Sequence, residues 1–129
     1  MKKYLLFSLV IFLTACEAPD PAARRAALHL PPEGFVGDAA QGGALFVTNC
    51  SSCHGNNAQG TEQGPPLVNN VYRPAHHADF AFHMAVRDGV RQHHWGFGDM
   101  PAVPQITPEQ TAHVIAYIRQ EQSKAGITR

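Results

Sequence analysis

Cys50, Cys53 and His54 stand together in the stretch NCSSCHG, and their types and spacing admit three kinds of chemistry. A dithiol redox pair of the thioredoxin type needs a strand before the motif and a long helix after it. Here the cysteines end a helical pattern and lead into turn residues. A zinc cage needs two further ligands at sensible spacing. His76/His77 or His93/His94 could supply them, although the ligand knots of zinc modules are usually shorter. The third chemistry is covalent attachment of haem. Two thiols add across the two vinyl groups, and the two residues between them match the span. The next residue, His54, is then carried beneath the iron as its proximal imidazole. In this reading each residue type of CSSCH answers a chemical need.

A haem held this way needs a group on its other face, and that group decides what the iron can do. Apart from Met1, only Met84 and Met100 offer thioethers. Met84 falls in a helical pattern, where methionine usually fills core space. Met100 falls in FGDMPAVP, irregular backbone just before the last helical stretch, with Asp99 and Pro101 restricting it. His93 and His94 are the competing ligands. A thioether favours ferrous iron and raises the potential, whereas a second imidazole lowers it. With Met100 and His54 both bound, no position is open for oxygen or peroxide, which suits electron transfer. Two rivals stand beside this reading: a haem enzyme or gas binder with an exchangeable sixth position, and a histidine-rich copper protein. The doublets His76/His77 and His93/His94, with His83 between them, carry the second rival. Trp95 and Arg91 are candidate partners for the haem propionates, the plain alternative being a polar rim.

The N-terminus reads as an export signal. Lys2 and Lys3 precede the ten-residue apolar run YLLFSLVIFL, shorter than the ~20 residues that span a bilayer. LTAC follows, and it resembles the lipobox of bacterial lipoprotein signal peptides. That resemblance implies that Cys16 is acylated and becomes the new N-terminus, and acyl chains hold a protein lastingly at a membrane surface. All three cysteines then have a use. Haem attachment outside the cytoplasm agrees with export. Glu17, rather than Asp, after Cys16 weakly favours an outer membrane over an inner one.

The whole chain of 129 residues has ten basic and ten acidic side chains and no basic cluster, which leaves no footprint for nucleic acid. A chain cut before Cys16 keeps eight basic and ten acidic side chains. One small domain fits this length, and a domain so small commonly leans on a cofactor or crosslink for stability. The expected divisions are 1–15 as signal, 16–36 as a Pro/Ala-rich tether with at most a helical turn at Ala22 to Leu28, 37–124 as the domain, and 125–129 as a tail. Asp38 caps a first helix running into the cysteines, and Asp79 begins a second that stops at Gly89. Thr107, Pro108 and Gln110 start a third, whose face carries Thr111, Val114, Ile115, Ile118 and Gln122. Three helices, long loops and no convincing strand make the fold all-α. Gly42 and Gly43 each cost about 1 kcal/mol in a helix, so another backbone is expected to come close there.

The stretch Gly37 to about Gln122 resembles the class I c-type cytochromes, with GDAAQGGALFVTNCSSCHG matching their first helix and haem hook. The resemblance implies one covalent haem c, no catalysis, and transient protein partners as electron donor and acceptor. It implies that Gly42 and Phe46 pack against Val114 and Tyr117 of the last helix. QGPPL resembles the family's proximal loop, where a proline carbonyl accepts the second hydrogen bond of the axial imidazole; the matching residue is Pro65. The family's axial methionine lies in a loop like that of Met100. The expectation is therefore a lipid-anchored monohaem carrier on the periplasmic side of a bacterial membrane, a monomer or a subunit of a respiratory dehydrogenase or oxidase.

Overall fold

The computed structural model describes Ala18 and residues 20–129; the signal segment, Cys16 and Glu17 lie outside the described residues. Among the described residues five helices follow one another: α1 (Pro21–Ala27), α2 (Ala39–Asn49), α3 (Ser51–His54), α4 (Asp79–Asp88) and α5 (Pro108–Lys124). A short 3-10 turn at Asn70–Tyr72 interrupts the long loop before α4. Among the described residues no strand forms beyond an isolated antiparallel bridge between Val90 and Met100. No helix among them is long and apolar enough to cross a membrane.

The three principal helices start and stop where local chemistry directs. The Asp38 carboxylate accepts from the Ala40 and Gln41 amides and satisfies two orphan donors of α2. Thr107 and Gln110 form the reciprocal capping box of α5, with Pro108 in its first turn. Gly89 ends α4 with φ of +77°, a left-handed conformation that disfavours any side chain. On α5 the buried residues are Thr111, Val114, Ile115, Ile118 and Gln122, the face expected from the sequence.

α2 crosses α5 at the core. A Cβ on Gly42 would lie 1.9 Å from the carbonyl oxygen of His113, so only glycine lets the two backbones meet. Phe46 is fully buried one turn on, its ring 5.3 Å from that of Tyr117, and Val114 and Ile118 complete the cluster. This is the packing the family resemblance implied. Gly43 does not share the constraint. Its added Cβ would meet only the Tyr117 ring, at 3.4 Å, an ordinary contact.

Two helices differ from the sequence reading. The run into the cysteines is broken at Cys50 (φ −125°), and α3 restarts as a single turn that carries Cys53 and His54. The segment expected as a tether is in part docked. Asp20 caps α1 and Pro21 sits in its first turn, giving two helical turns rather than one at most. Arg87 of α4 then donates to the Ala27 carbonyl at 2.8 Å, and His29 Nε2 donates to the buried Thr111 hydroxyl of α5 at 3.0 Å. The chain just after α1 is therefore tied to α4 and α5 at Ala27 and His29, while α1 itself buries no residue, and this shortens whatever part of the leader stands off the domain.

Candidate functional site

The floor of the site is the junction of α2 and α3. Helical geometry from Cys50 to His54 puts both thiols and the imidazole on one turn, with the His54 amide donating to the Cys50 carbonyl at 2.9 Å. The loop after it folds back beneath that turn. Gly55 (φ +75°) reverses the chain, Gly60 donates to the His54 carbonyl at 2.7 Å, and the Thr61 hydroxyl donates to the Cys53 carbonyl at 2.7 Å. Gly64 passes so close that an added Cβ would lie 2.9 Å from the Cys53 carbonyl oxygen. That closure delivers Pro65, whose carbonyl accepts from His54 Nδ1 at 2.9 Å. A carbonyl can only accept, so Nδ1 carries the proton and Nε2 is left with a lone pair.

Electrostatics favour the same state of the ring. Burial lowers the His54 pKa, and the Pro65 bond only partly opposes it, so the imidazole is neutral at physiological pH. Burial, with a smaller contribution from Cys53, pushes the Cys50 thiol up to about 11. A thiol so protected stays protonated and is a poor nucleophile for disulfide exchange.

Above this floor is a cavity of about 380 Å³, within the range of cofactor and ligand sites. Its walls include Phe46 of α2, Cys50 at the α2–α3 junction, Phe82 and Val86 of α4, and Val114 and Ile118 of α5. A side pocket of about 80 Å³ shares Cys50, His54 and Met100 with the larger one and adds Cys53. The far wall is the loop of residues 90–100. Val90 and Met100 exchange two backbone hydrogen bonds of 2.9 Å at its base. Gly89 permits that closure, because an added Cβ would lie 2.5 Å from the Met100 carbonyl oxygen.

Met100, Trp95, Pro65, His54 and Cys50 all line the large cavity, whereas Arg91 is exposed and is not among its walls. Met84 also reaches the cavity instead of only filling core space. Sequence reasoning did not single out Arg119. It donates to the carbonyls of Tyr72 and His77, to Gln122 and to Asp79, with Phe82 beneath its guanidinium at 4.9 Å. Gln122, fully buried, adds donors to the carbonyls of Leu67 and Tyr72 at 2.8 and 2.9 Å. Together they fasten the 67–79 segment, and with it Tyr72 and His77 of the cavity wall, to α5. A charged residue beside the apolar face of α5 was the only signal in the sequence.

These residues fit haem on the structure's own terms. The cavity is lined mainly by apolar side chains, two thiols and a neutral imidazole sit at its base, and a thioether is in its wall. The Trp95 indole N–H is buried with no well-formed hydrogen bond, only the Tyr72 hydroxyl lying near it, and a propionate would satisfy it. The family described as Cytochrome c matches residues 39–122. The chain belongs to the cytochrome c family. As a cytochrome c it binds covalent haem c, for which Cys50 and Cys53 fit the family's CXXCH-type motif, and it is an electron-transfer protein. No curated protein matches it. Its fold has a likeness to the crystal structure of cytochrome CL from the marine methylotrophic bacterium Methylophaga aminisulfidivorans MPT, at 21% identity and a TM-score of 0.46. That likeness covers 84% of this cytochrome c and 70% of the other chain.

Proposed function

We propose that this cytochrome c is a membrane-anchored carrier of single electrons, with one haem joined to Cys50 and Cys53 and ligated by His54 and Met100. The observation that carries the reading is the His54 Nδ1 bond to the Pro65 carbonyl at 2.9 Å, in the floor of a cavity that Met100 also lines. It commits one ring nitrogen and leaves Nε2 as the ligand. When bound, haem supplies the site that takes up one electron from a donor and returns it to an acceptor. The chain's residues do the rest. His54, already neutral, binds without releasing a proton at physiological pH. Met100 favours the ferrous state and keeps small molecules from the iron. Apolar walls exclude water and limit rearrangement, and the Trp95 N–H holds a propionate.

Cys16 carries the lipid in this proposal, and the protein works at the periplasmic face of a bacterial membrane, with the outer membrane favoured by Glu17. Partners dock briefly at the cavity mouth, as fast redox encounters require. The same arrangement serves a haem subunit of a dehydrogenase or oxidase complex. The test is the exported protein, its mass and its redox-titrated spectrum, beside Met100→Ala. The expected result is one haem and acyl chains on Cys16, with loss of the sulfur-to-iron absorption band and a lower potential in the variant. An unchanged ferric spectrum in Met100→Ala refutes the axial assignment, and a colourless protein with both thiols intact refutes the whole.

A further inference from the structure

Four histidines converge at the rim of the cavity, from two loops far apart in the sequence. His76 and His77 come from the turn before α4, and His93 and His94 from the 90–100 loop. One ring nitrogen each from His76, His77 and His94 lie within 4.8 Å of one another. The His93 ring centroid is 4.3 Å from that of His94. His76 and His94 are exposed, so the cluster opens to solvent, while His77 is half-buried and fixed. His77 Nδ1 donates to the Val71 carbonyl at 2.7 Å, which leaves its Nε2 lone pair available to the cluster. Arg119 holds the His77 carbonyl from behind, so this ligand is anchored to α5.

Among the described residues no carboxylate forms an ion pair with any of the four. We propose that His76, His77 and His94 form a surface site for one divalent transition cation, zinc or copper(II), with His93 beside it as a further donor. Neutral imidazoles suit both ions, and three protein ligands leave a position for water. Tetrahedral coordination at 2.0–2.1 Å places the nitrogens about 3.3 Å apart, so the rings need close by no more than about 1.5 Å. Rotation of the exposed His76 and His94 side chains supplies that movement around the fixed His77. The site needs none of the residues assigned to the haem iron.

The experiment uses the haem-loaded protein without a polyhistidine tag, stripped with chelator and titrated calorimetrically with zinc at neutral pH. His76→Ala/His94→Ala is the paired variant; both residues are exposed, and an unchanged haem spectrum certifies its fold. The expected result is one zinc per chain, bound at least about 10-fold more weakly by the variant. Copper(II) at the same site should show nitrogen couplings in its electron-spin spectrum that the variant loses. No binding to the native chain, or equal binding by both proteins, overturns the proposal. Zinc is colourless, so the titration is read apart from the haem spectrum. A chain that holds haem but not zinc defeats this site alone, and one that holds zinc but not haem defeats the haem assignment alone.

Discussion

Gly42 and Gly43 are neighbours on α2, yet alanine should act on them in opposite directions. At Gly42 the new methyl group would lie 1.9 Å from the His113 carbonyl oxygen, 2.5 Å from its carbon and 3.0 Å from Tyr117 Cβ. A carbon resting on a carbonyl oxygen settles near 3.3–3.6 Å, so α2 and α5 must part by about 1.4 Å. The obstacle is helical backbone, which cannot rotate aside as a side chain can. Overpacking of this kind costs about 3 kcal/mol or more, against about 1 kcal/mol gained from helix propensity. The net loss, at least about 2 kcal/mol, corresponds to a fall of about 10 °C or more in Tm for a domain this small. At Gly43 the nearest atom is a Tyr117 ring carbon at 3.4 Å, so the propensity gain survives and Tm should hold or rise by a few degrees. Thermal unfolding of the haem-loaded proteins, followed by far-UV circular dichroism, measures both. Equal effects at the two positions, or a Gly42→Ala protein as stable as the parent, would show that the helix crossing is not set by backbone approach.

Arg119→Met removes the donors to Tyr72, His77 and Asp79 together with the guanidinium over Phe82, and should cost about 2–4 kcal/mol in urea unfolding, with the 67–79 segment the first to gain amide exchange. Thr107→Ala breaks the capping box and should cost about 1 kcal/mol by the same measurement. His83 is buried, its pKa lowered first by burial and then by the His29 ring 6.2 Å away and by Arg25, with the His29 backbone carbonyl and then Asp79 opposing. The unfolded chain therefore takes up this proton first. Stability holds above pH 6.5 and falls below it, by at most about 1.4 kcal/mol per pH unit for this group. His83→Leu should flatten that slope between pH 6.5 and 5 in urea titrations, and an unchanged slope would remove His83 as a source of acid sensitivity.

What the sequence made legible was local. The buried face of α5 follows from spacing alone, because a helix with one apolar stripe has only one way to hide it. Its capping box, the Asp38 cap and the Gly89 stop are each set within four residues. The attachment motif was equally plain, since CSSCH is contiguous. The docking of α1 was not, because its contacts use the Ala27 carbonyl and the His29 ring, with partners 60 and 82 residues away. An Ala- and Pro-rich segment shows no periodicity from which such contacts could be read. The propionate candidates divide for a similar reason. Trp95 lines the cavity while Arg91 points to solvent, and side-chain direction in an irregular loop depends on how that loop closes. Arg119 gave no more signal than a charge beside an apolar face, because two of its partners are carbonyls, which every residue has and no sequence distinguishes.

The loop of residues 90–100 is sewn shut at its own base. Val90 and Met100 pair there, Asp99 accepts from the Gln92 amide, and the Gln92 side chain accepts from Gly98. Sulfur, indole and two imidazoles thus travel on one self-contained cassette, attached to the helices at two adjacent points. With the proposed ligand Met100 and the proposed metal donors His93 and His94 all on it, exchanging this one loop would alter both sites while the helical frame stayed as it was.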